Sequence, residues 1–498
     1  MGSGTAGGRG RRAALAGVLG VALAAGTVLA APSSAQPSPA PSHGGRHPEE
    51  PRRDGANSPG PGKDRGPSER RGNRHRAVPA RGPVLAAGGA DGRPATGGGL
   101  RTAVAPAVQD KALGTLAFAV ADAATGEFLF GADEGTPATP ASTTKLATSV
   151  AALALLPAGR RIATTVVQGA PGELTLVGGG DPTLTALPAD QVRVGGAPVD
   201  AESAPASLAD LAHRTATALK AAGTTAVRLG YDTSLYTGPL LHKDHDGENI
   251  AAVTPLMVDE GRVDPRSTED APPRVADPAG QAAEAFGRLL AAEGITLRGA
   301  AAPATAPAGA KELARVESPT LGRLVERMLT TSDNTLAEAV ARQVAIAAGQ
   351  PAGFDGAAKA VTGELAALGV PLTGVLITDG SGLAKANLIP PITLVKLLAT
   401  AASAEHPELR PVLTGLPIAG FTGTLAGRFG AKSGAGDAAG IVRAKTGSLS
   451  GVNTLAGTVV DADGRVLVFA LMSRTTADAA TARAAVDRIV ARIAACGC

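Results

Sequence analysis

Residues 140–156 read Pro-Ala-Ser-Thr-Thr-Lys-Leu-Ala-Thr-Ser-Val-Ala-Ala-Leu-Ala-Leu-Leu. From Thr143 to Leu156 the stretch is apolar on nearly every side of a helix, so we expect a helix that is buried in the interior. Ser142 stands at its start, and Lys145 follows one turn later on the same face. A serine hydroxyl needs a base to take its proton before it can attack a carbonyl carbon. The stretch therefore predicts a serine nucleophile with a lysine base, whose pKa is lowered by apolar surroundings.

Two further motifs follow along the chain. Ser332-Asp-Asn334 lies between two helical patterns, and Lys445-Thr-Gly447 closes an apolar strand and is followed by Ser448. Taken alone, Ser142, Ser332 or Asp333 can be an ordinary helix N-cap, and a lysine an ordinary surface cation. In this order the three motifs indicate an acyl-transfer site. A lysine and two hydroxyls suit a carboxylate, and a glycine between the hydroxyls lets a substrate backbone approach closely.

The first hundred residues predict export. Three arginines among residues 1–12, an apolar stretch at 13–31 and small residues at 33–35 follow the order of a secretory signal peptide, here 1–35; an uncleaved membrane anchor is the alternative. Residues 36–100 are rich in Pro, Gly, Arg and Ser, which predicts a disordered tether. We interpret it as a solvated spacer; the alternative is that its arginines contact anionic wall polymers or lipid head groups. We therefore expect the protein to act outside the cytoplasm.

Composition excludes several classes of function. The 498 residues carry a formal net charge of +3, which is too small to indicate a class of partner. Only 2% of the residues are aromatic and none is Trp, which argues against stacking on single-stranded nucleic acid or on sugar rings. Cys496 and Cys498 are the only cysteines, and two thiols without a His-x-x-x-His partner do not make a zinc site. We expect no metal and no cofactor, and we expect these two cysteines to be incidental at a frayed C-terminus.

The order of predicted elements indicates an α+β fold. A strand hairpin and the Ser142 helix come first, helices surround Ser332, and strands with one final helix end the chain, which suggests an antiparallel sheet covered by helices. We assign this catalytic domain to residues 101–161 and 300–498. Short strands, turns and amphipathic helices between them predict an inserted α/β domain at 162–299.

With these motifs in place, the chain from about residue 113 to 495 resembles the D-alanyl-D-alanine carboxypeptidase/endopeptidase family of class C low-molecular-mass penicillin-binding proteins. The resemblance rests on the three motifs together with accessory strings that are more specific to that family. These strings are Gly179-Gly-Asp-Pro-Thr-Leu184, Asp232-Thr-Ser-Leu-Tyr236, Asp379-Gly-Ser-Gly-Leu383, Leu416-Pro-Ile-Ala-Gly420 and Gly423-Thr-Leu425.

The resemblance implies a transpeptidase fold of the penicillin-binding-protein/β-lactamase type, peptidoglycan stem peptides as substrates, and β-lactams as acylating inhibitors. It makes Ser142 the acylated nucleophile and Lys145 its base, and gives the leaving-group proton to Ser332 and Lys445. It also places Asn334 in the second wall of the site. Thr446 and Ser448 would hold the substrate carboxylate, with Gly447 between them. The backbone N–H groups of Ser142 and Ser448 would form the oxyanion hole.

Three departures from that family pattern stand out. Lys385 occupies a substrate-binding position where arginine is usual, Thr422 stands where an acid commonly precedes Gly-Thr-Leu, and residues 258–277 are too short for a second inserted module. Two rival functions remain. A class A β-lactamase needs a second base, but Glu364 lacks the following Leu-Asn context and the gap between the first two motifs is too long. A non-catalytic wall-binding or penicillin-sensing protein would suit a basic tether.

Overall fold

The computed structural model describes residues 93–269 and 271–498, so the predicted signal peptide and most of the predicted tether lie outside the described residues. The helices are α1 (Gly97–Val108), α2 (Thr144–Leu155), α3 (Leu208–Ala221), α4 (Pro278–Ala292), α5 (Leu321–Thr331), α6 (Asn334–Ala347), α7 (Phe354–Ala367), α8 (Pro391–Ala402), α9 (Arg410–Thr414) and α10 (Ala479–Ala494). None of them, within these described ranges, has the length and apolarity that a bilayer span requires.

The strands form two main sheets and one short pair. They are β1 (Thr115–Asp122), β2 (Phe128–Ala132), β3 (Ala163–Gln168), β4 (Glu173–Val177), β5 (Arg193–Val194), β6 (Ala197–Pro198), β7 (Ala226–Asp232), β8 (Thr296–Leu297), β9 (Ala302–Pro303), β10 (Lys311–Glu317), β11 (Val442–Leu449), β12 (Val452–Val460) and β13 (Val466–Arg474). The first sheet has the order β11-β12-β13-β1-β2 and is antiparallel throughout. This sheet, with helices on both faces, is the predicted architecture.

Alternation along β1 explains how the first sheet is buried on both faces. Ala119 and Ala121 pack on the face that carries α2 and α5–α8, while Phe118 and Val120 point to the opposite face with α1 and α10. Small side chains on the first face let the helices lie close to the sheet. The apolar α2 is thereby enclosed between the sheet and other helices, as its sequence predicts.

Helix α1 corrects the predicted extent of the tether. Residues 97–100, placed in the disordered 36–100 segment by composition, are helical, and Thr96 caps the helix by accepting a hydrogen bond from Gly99 N at 3.1 Å. Leu100 and Val104 are buried against α10 and supply the apolar contacts that offset the poor helix propensity of the glycines. The carbonyl oxygen of Cys498 also accepts from Thr96 N at 2.9 Å and from Thr96 Oγ1 at 2.8 Å.

The same contacts correct the prediction of a frayed C-terminus. Cys496 is buried, and it is joined to Cys498 by a disulfide. The two cysteines therefore lie in an ordered place beside α1, because the last residues of the chain pack against the start of that helix.

The second sheet has a core of its own. Its order is β10-β3-β4-β7-β8, with β9 also paired to β7, and β4, β7, β8 and β9 run parallel. Helices α3 and α4 cover it through residues such as Leu211 and Phe286. Because β9 pairs with β7 and β10 pairs with β3, we propose that the inserted domain reaches residue 317, two strands beyond the predicted boundary at 299.

Replacement of Leu100 by Ala tests whether α1 belongs to the folded protein. Leu100 has no exposed surface, so we expect a loss of about 2–5 kcal/mol in the free energy of unfolding, measured with denaturant. The exposed neighbour Thr102, changed to Ala, is the control and should cost less than about 1 kcal/mol. If both variants had the same free energy of unfolding as the parent protein, residues 97–100 would not belong to the folded domain.

Candidate active site

Ser142 lies in a tight turn that leads into α2. A 3-10 turn spans Ala141–Thr143, and Thr143 Oγ1 donates to the Pro140 carbonyl oxygen at 2.7 Å. Ala141 has a φ of +49°, a left-handed conformation that non-glycine residues adopt only when the surroundings impose it. The turn therefore presents Ser142 in a fixed position, two residues before the first residue of α2.

Two glycines from different segments of the chain pack closely against this turn. A Cβ atom on Gly382, whose φ is +86°, would collide with the Ala141 carbonyl oxygen, and one on Gly447 would lie 2.7 Å from the Pro140 carbonyl oxygen. A side chain at either position would push the Ser142 turn away. We predicted that Gly447 makes room for substrate backbone; its observed neighbour is the nucleophile turn itself.

Lys145 is fully buried behind Ser142. Its Nζ lies 3.0 Å from Ser142 Oγ, 2.6 Å from Asn334 Oδ1 and 2.7 Å from the Ser381 carbonyl oxygen. Burial lowers the pKa of Lys145 to about 8, although nearby carboxylates such as Asp379 oppose the shift. With a pKa of about 8, roughly a tenth of the molecules carry the neutral amine at pH 7 and about half carry it at pH 8.

The three contacts of Lys145 decide where its lone pair points. Asn334 Oδ1 and the Ser381 carbonyl oxygen can only accept, so each takes one hydrogen of the amine. A neutral amine has two hydrogens and one lone pair, and the remaining contact is Ser142 Oγ. The lone pair therefore faces the serine hydroxyl, which is the geometry that proton removal requires.

Ser332 and Lys445, the pair predicted to handle the leaving-group proton, are hydrogen-bonded to each other. Lys445 Nζ donates to Ser332 Oγ at 2.9 Å and to the Thr446 carbonyl oxygen at 2.8 Å. Ser332 terminates α5 in a left-handed conformation with φ +60°. Burial, and then the positive charge of Lys145, lower the pKa of Lys445 well below its ordinary value. This contact joins the third motif to the second, and the contact between Lys145 and Asn334 joins the first motif to the second.

The remaining predicted residues occupy different places. Asn334 begins α6 and donates through Nδ2 to the Asn249 carbonyl oxygen at 2.9 Å, so both of its polar atoms have protein partners, with one N–H left. Thr446 and Ser448 lie on β11, the edge strand, where Ser448 is exposed and Thr446 partly so. Lys385 is exposed. Its carbonyl oxygen lies 3.5 Å from the hydroxyl oxygen of Thr139, the residue immediately before Pro140.

Sequence reasoning missed the buried carboxylates that shape the Lys145 pocket. Glu338 Oε1 accepts from the backbone N–H groups of Gly380 at 3.0 Å and Ser381 at 2.9 Å, which fixes the carbonyl oxygen that Lys145 uses. Asp379 accepts from Ala384 N at 2.7 Å and folds the rest of the loop. The string that begins at Asp379 was recognised as a family feature, but nothing in its spacing pointed to Lys145.

His245 joins the same cluster of buried side chains. His245 Nε2 lies 2.8 Å from Asp379 Oδ2, and donor atoms of His245, Glu338 and Asp379 all lie within 4.8 Å of one another. Both oxygens of Asp379 and Oε1 of Glu338 accept from backbone N–H groups, and Glu338 Oε2 lies 3.4 Å from the Arg342 guanidinium. These residues fit a closed hydrogen-bonded network and not a metal ion, because a metal needs those same lone pairs.

Asp333, the middle residue of the second motif, links the site to the inserted segment. Its Oδ1 accepts from Leu336 N at 2.9 Å as the N-cap of α6, and its carboxyl group is hydrogen-bonded to that of Glu260. Arg327 and Arg262 both contact Glu260. Burial and the negative charge of Glu260 raise the pKa of Asp333 to about 7, so the pair holds one proton below that pH.

A family model and two individual proteins match the amino-acid sequence, and all three are described as carboxypeptidases. A family model described as the D-Ala-D-Ala carboxypeptidase 3 (S13) family matches residues 100–273 and 267–494. Carboxypeptidase DacB of Mycolicibacterium smegmatis is 38% identical over 80% of this chain and 85% of its own length. D-alanyl-D-alanine carboxypeptidase of an Actinomadura species is 31% identical over 71% of this chain and 76% of its own length.

The structural comparison concerns the fold. The crystal structure of penicillin binding protein 4 from Haemophilus influenzae superposes with a TM-score of 0.61 over 78% of this chain and 98% of that chain, at 22% sequence identity. The predicted fold class is thereby confirmed.

Replacement of Asp333 by Asn tests the shared proton. Asn is an equally good N-cap, and its amide can donate to Glu260 without ionising. Because the pKa of Asp333 is raised on folding, the parent protein loses stability as pH rises from about 4 to about 7, whereas the variant lacks this loss. We expect the Tm of the variant, relative to the parent, to be higher at pH 8 than at pH 4. Parallel Tm curves across this range would show that Asp333 is ionised throughout.

Proposed function

The chain belongs to the D-Ala-D-Ala carboxypeptidase 3 (S13) family, and from this premise we propose that it is a serine-type D-Ala-D-Ala carboxypeptidase/endopeptidase that forms its acyl-enzyme on Ser142. Its substrates are peptidoglycan stem peptides, and penicillins acylate the same serine. The observation that carries the residue assignment is the contact at 3.0 Å between Lys145 Nζ and Ser142 Oγ, in which the amine lone pair faces the hydroxyl.

Acylation starts from neutral Lys145. The amine takes the Ser142 proton while Oγ attacks the carbonyl carbon of the penultimate D-Ala, which gives a tetrahedral intermediate and an ammonium group. The ammonium keeps its hydrogen bonds to Asn334 and to the Ser381 carbonyl oxygen. The backbone N–H groups of Ser142 and Ser448 remain our prediction for the oxyanion hole.

Departure of D-Ala requires a proton on its nitrogen. Ser332 Oγ supplies that proton and is recharged from Lys445 Nζ, which lies 2.9 Å away. The C–N bond then breaks, D-Ala leaves as an amine, and the acyl group stays on Ser142. Water then hydrolyses the ester: the water proton restores Lys445, and Lys145 returns its proton to Ser142 Oγ. Thr446 and Ser448 hold the terminal carboxylate of the substrate on the exposed side of β11, and Lys385 lines the outer part of the site.

The rival functions differ in what happens after acylation. A rapid β-lactamase needs a base for deacylating water; within residues 93–269 and 271–498, no carboxylate is hydrogen-bonded to Ser142 Oγ or Lys145 Nζ, and Glu338 binds backbone N–H groups instead. A penicillin-sensing protein without turnover would show the same acylation, so product analysis must separate it from a peptidase.

We also propose where the protein works. The signal-like sequence at residues 1–35 supports action outside the cytoplasmic membrane, and a D-alanyl-D-alanine carboxypeptidase among its relatives is consistent with it. The arginine-rich segment 36–92 would hold the enzyme near anionic wall polymers or lipid head groups. The described part of the chain then divides into a catalytic domain and an inserted domain at about 162–317.

Loss of Ser142 provides the direct test of the nucleophile. We expect a fluorescent penicillin to label the parent protein covalently and Ser142→Ala not at all, because the variant lacks the hydroxyl group that lies 3.0 Å from Lys145 Nζ. Ser450→Ala, an exposed serine just past β11, is the control and should label like the parent. Intact-mass measurement of the adduct checks both variants, and an adduct on Ser142→Ala would refute the assignment.

Product analysis distinguishes the peptidase from a sensor. The parent protein, incubated with disaccharide pentapeptide and with cross-linked muropeptides, should release D-Ala or cleave the cross-link, as followed by mass spectrometry. A protein that binds penicillin but leaves both substrates unchanged would favour the sensing function.

The pH dependence of acylation tests the role of Lys145. Since the neutral amine is the base and its pKa is about 8, the second-order rate of acylation by penicillin should rise with pH and level off above about 8. Asn334→Asp places a carboxylate beside Nζ, which stabilises the ammonium and should move this rise to higher pH. A rate that does not change between about pH 6 and 9 would exclude Lys145 as the titrating base.

A further inference from the structure

The segment Pro417–Leu425 runs beside the edge strand β11. Ala444 N donates to the Pro417 carbonyl oxygen at 3.0 Å, and Ala419 N donates to the Val442 carbonyl oxygen at 3.0 Å. Ile418 is bridged to Arg443 in the antiparallel sense. The segment therefore covers part of the free edge of the sheet and then turns back toward the third motif.

The turn at the end of this segment is held firmly. Gly423 has a φ of +53°, and a Cβ atom there would collide with the Thr330 carbonyl oxygen near the end of α5. Leu425 is fully buried, and Thr422 Oγ1 accepts from Ile418 N at 2.8 Å. Thr422, which stands where relatives commonly have an acid, thus serves to close the turn. The residue between these anchors, Thr424, is exposed and has little freedom to move.

Thr424 meets the third motif through its hydroxyl group. Thr424 Oγ1 lies 2.7 Å from Thr446 Oγ1, and either atom can be the donor. Two hydroxyl groups carry two hydrogens, and the contact between them uses one. In the described part of the chain no protein acceptor takes the second hydrogen, and both side chains reach solvent. One donor therefore points outward whichever way the pair is arranged.

We propose that Thr424 and Thr446 bind the terminal carboxylate of the substrate as a pair, which makes Thr424 a specificity-determining residue. The proposal rests on the proposed function, in which Thr446 faces that carboxylate. An outward O–H whose oxygen accepts from a second hydroxyl is polarised and donates more strongly to an anion. The turn keeps Thr424 Oγ1 beside Thr446 Oγ1, so the pair offers the carboxylate one outward O–H in either arrangement.

The test compares Thr424→Val with the parent on two acylating agents, benzylpenicillin and its methyl ester. Valine keeps the shape of threonine but removes the hydroxyl. We expect the second-order acylation rate with benzylpenicillin to fall about 10-fold, as for loss of support to a hydrogen bond with a charged group. The methyl ester lacks the carboxylate, so its rate should change less than about 2-fold. Thr424→Ser keeps the hydroxyl and should retain most of the rate with benzylpenicillin.

Each outcome of this experiment has a separate meaning. An equal loss with both agents, or no loss with benzylpenicillin, would overturn the role of Thr424 in carboxylate binding. A parent protein that is not acylated at all would refute the proposed function instead. Thermal unfolding of Thr424→Val checks that the turn is intact, and Thr446→Val combined with Thr424→Val should cost less than the product of the two single losses, because the hydroxyls act together.

Discussion

The site depends on a buried lysine, Lys145, whose burial favours the neutral amine over the ammonium form. Lys145 is enclosed by apolar neighbours on α2 and offered two acceptors that cannot donate, Asn334 Oδ1 and the Ser381 carbonyl oxygen. Enclosure disfavours the ammonium, and the two acceptors orient the neutral amine toward Ser142. Three separate segments of the chain must therefore converge within hydrogen-bond distance of one nitrogen. Most of the fold around α2 can be understood as the means of bringing them there.

Backbone geometry imposes a second requirement on the same place. The turn that carries Ser142 contains a left-handed alanine, Ala141, and is pressed between Gly382 and Gly447. Each glycine comes from a different motif, so the loop and the edge strand together hold a conformation that the turn would not keep alone. Main-chain packing thus positions Ser142, and in the proposed mechanism the side chain of Lys145 sets the reactivity of its hydroxyl group.

The sequence predicted what depends on local pattern. The apolar helix after Ser142, the strands around Lys445 and the antiparallel sheet under helices follow from periodicity, and the order of the motifs identified the site. Glu338 was not found, because a carboxylate that binds backbone N–H groups of a distant loop leaves no periodic signal. Helix α1 was missed because its glycines resemble those of a disordered tether; burial of Leu100 outweighs that local preference.

The hydrogen bonds between Thr96 and Cys498 have a mechanical consequence. They join the N-cap residue of α1 to Cys498, which follows α10. Both helices lie on the side of the first sheet opposite α2. A pull on the preceding segment, if that segment is fastened to the envelope, would be resisted first by this contact and by the packing of α1 on α10. The sheet lies between α1, which would bear this force, and the turn that holds Ser142. Tension on the segment before α1 therefore need not distort the Ser142 turn.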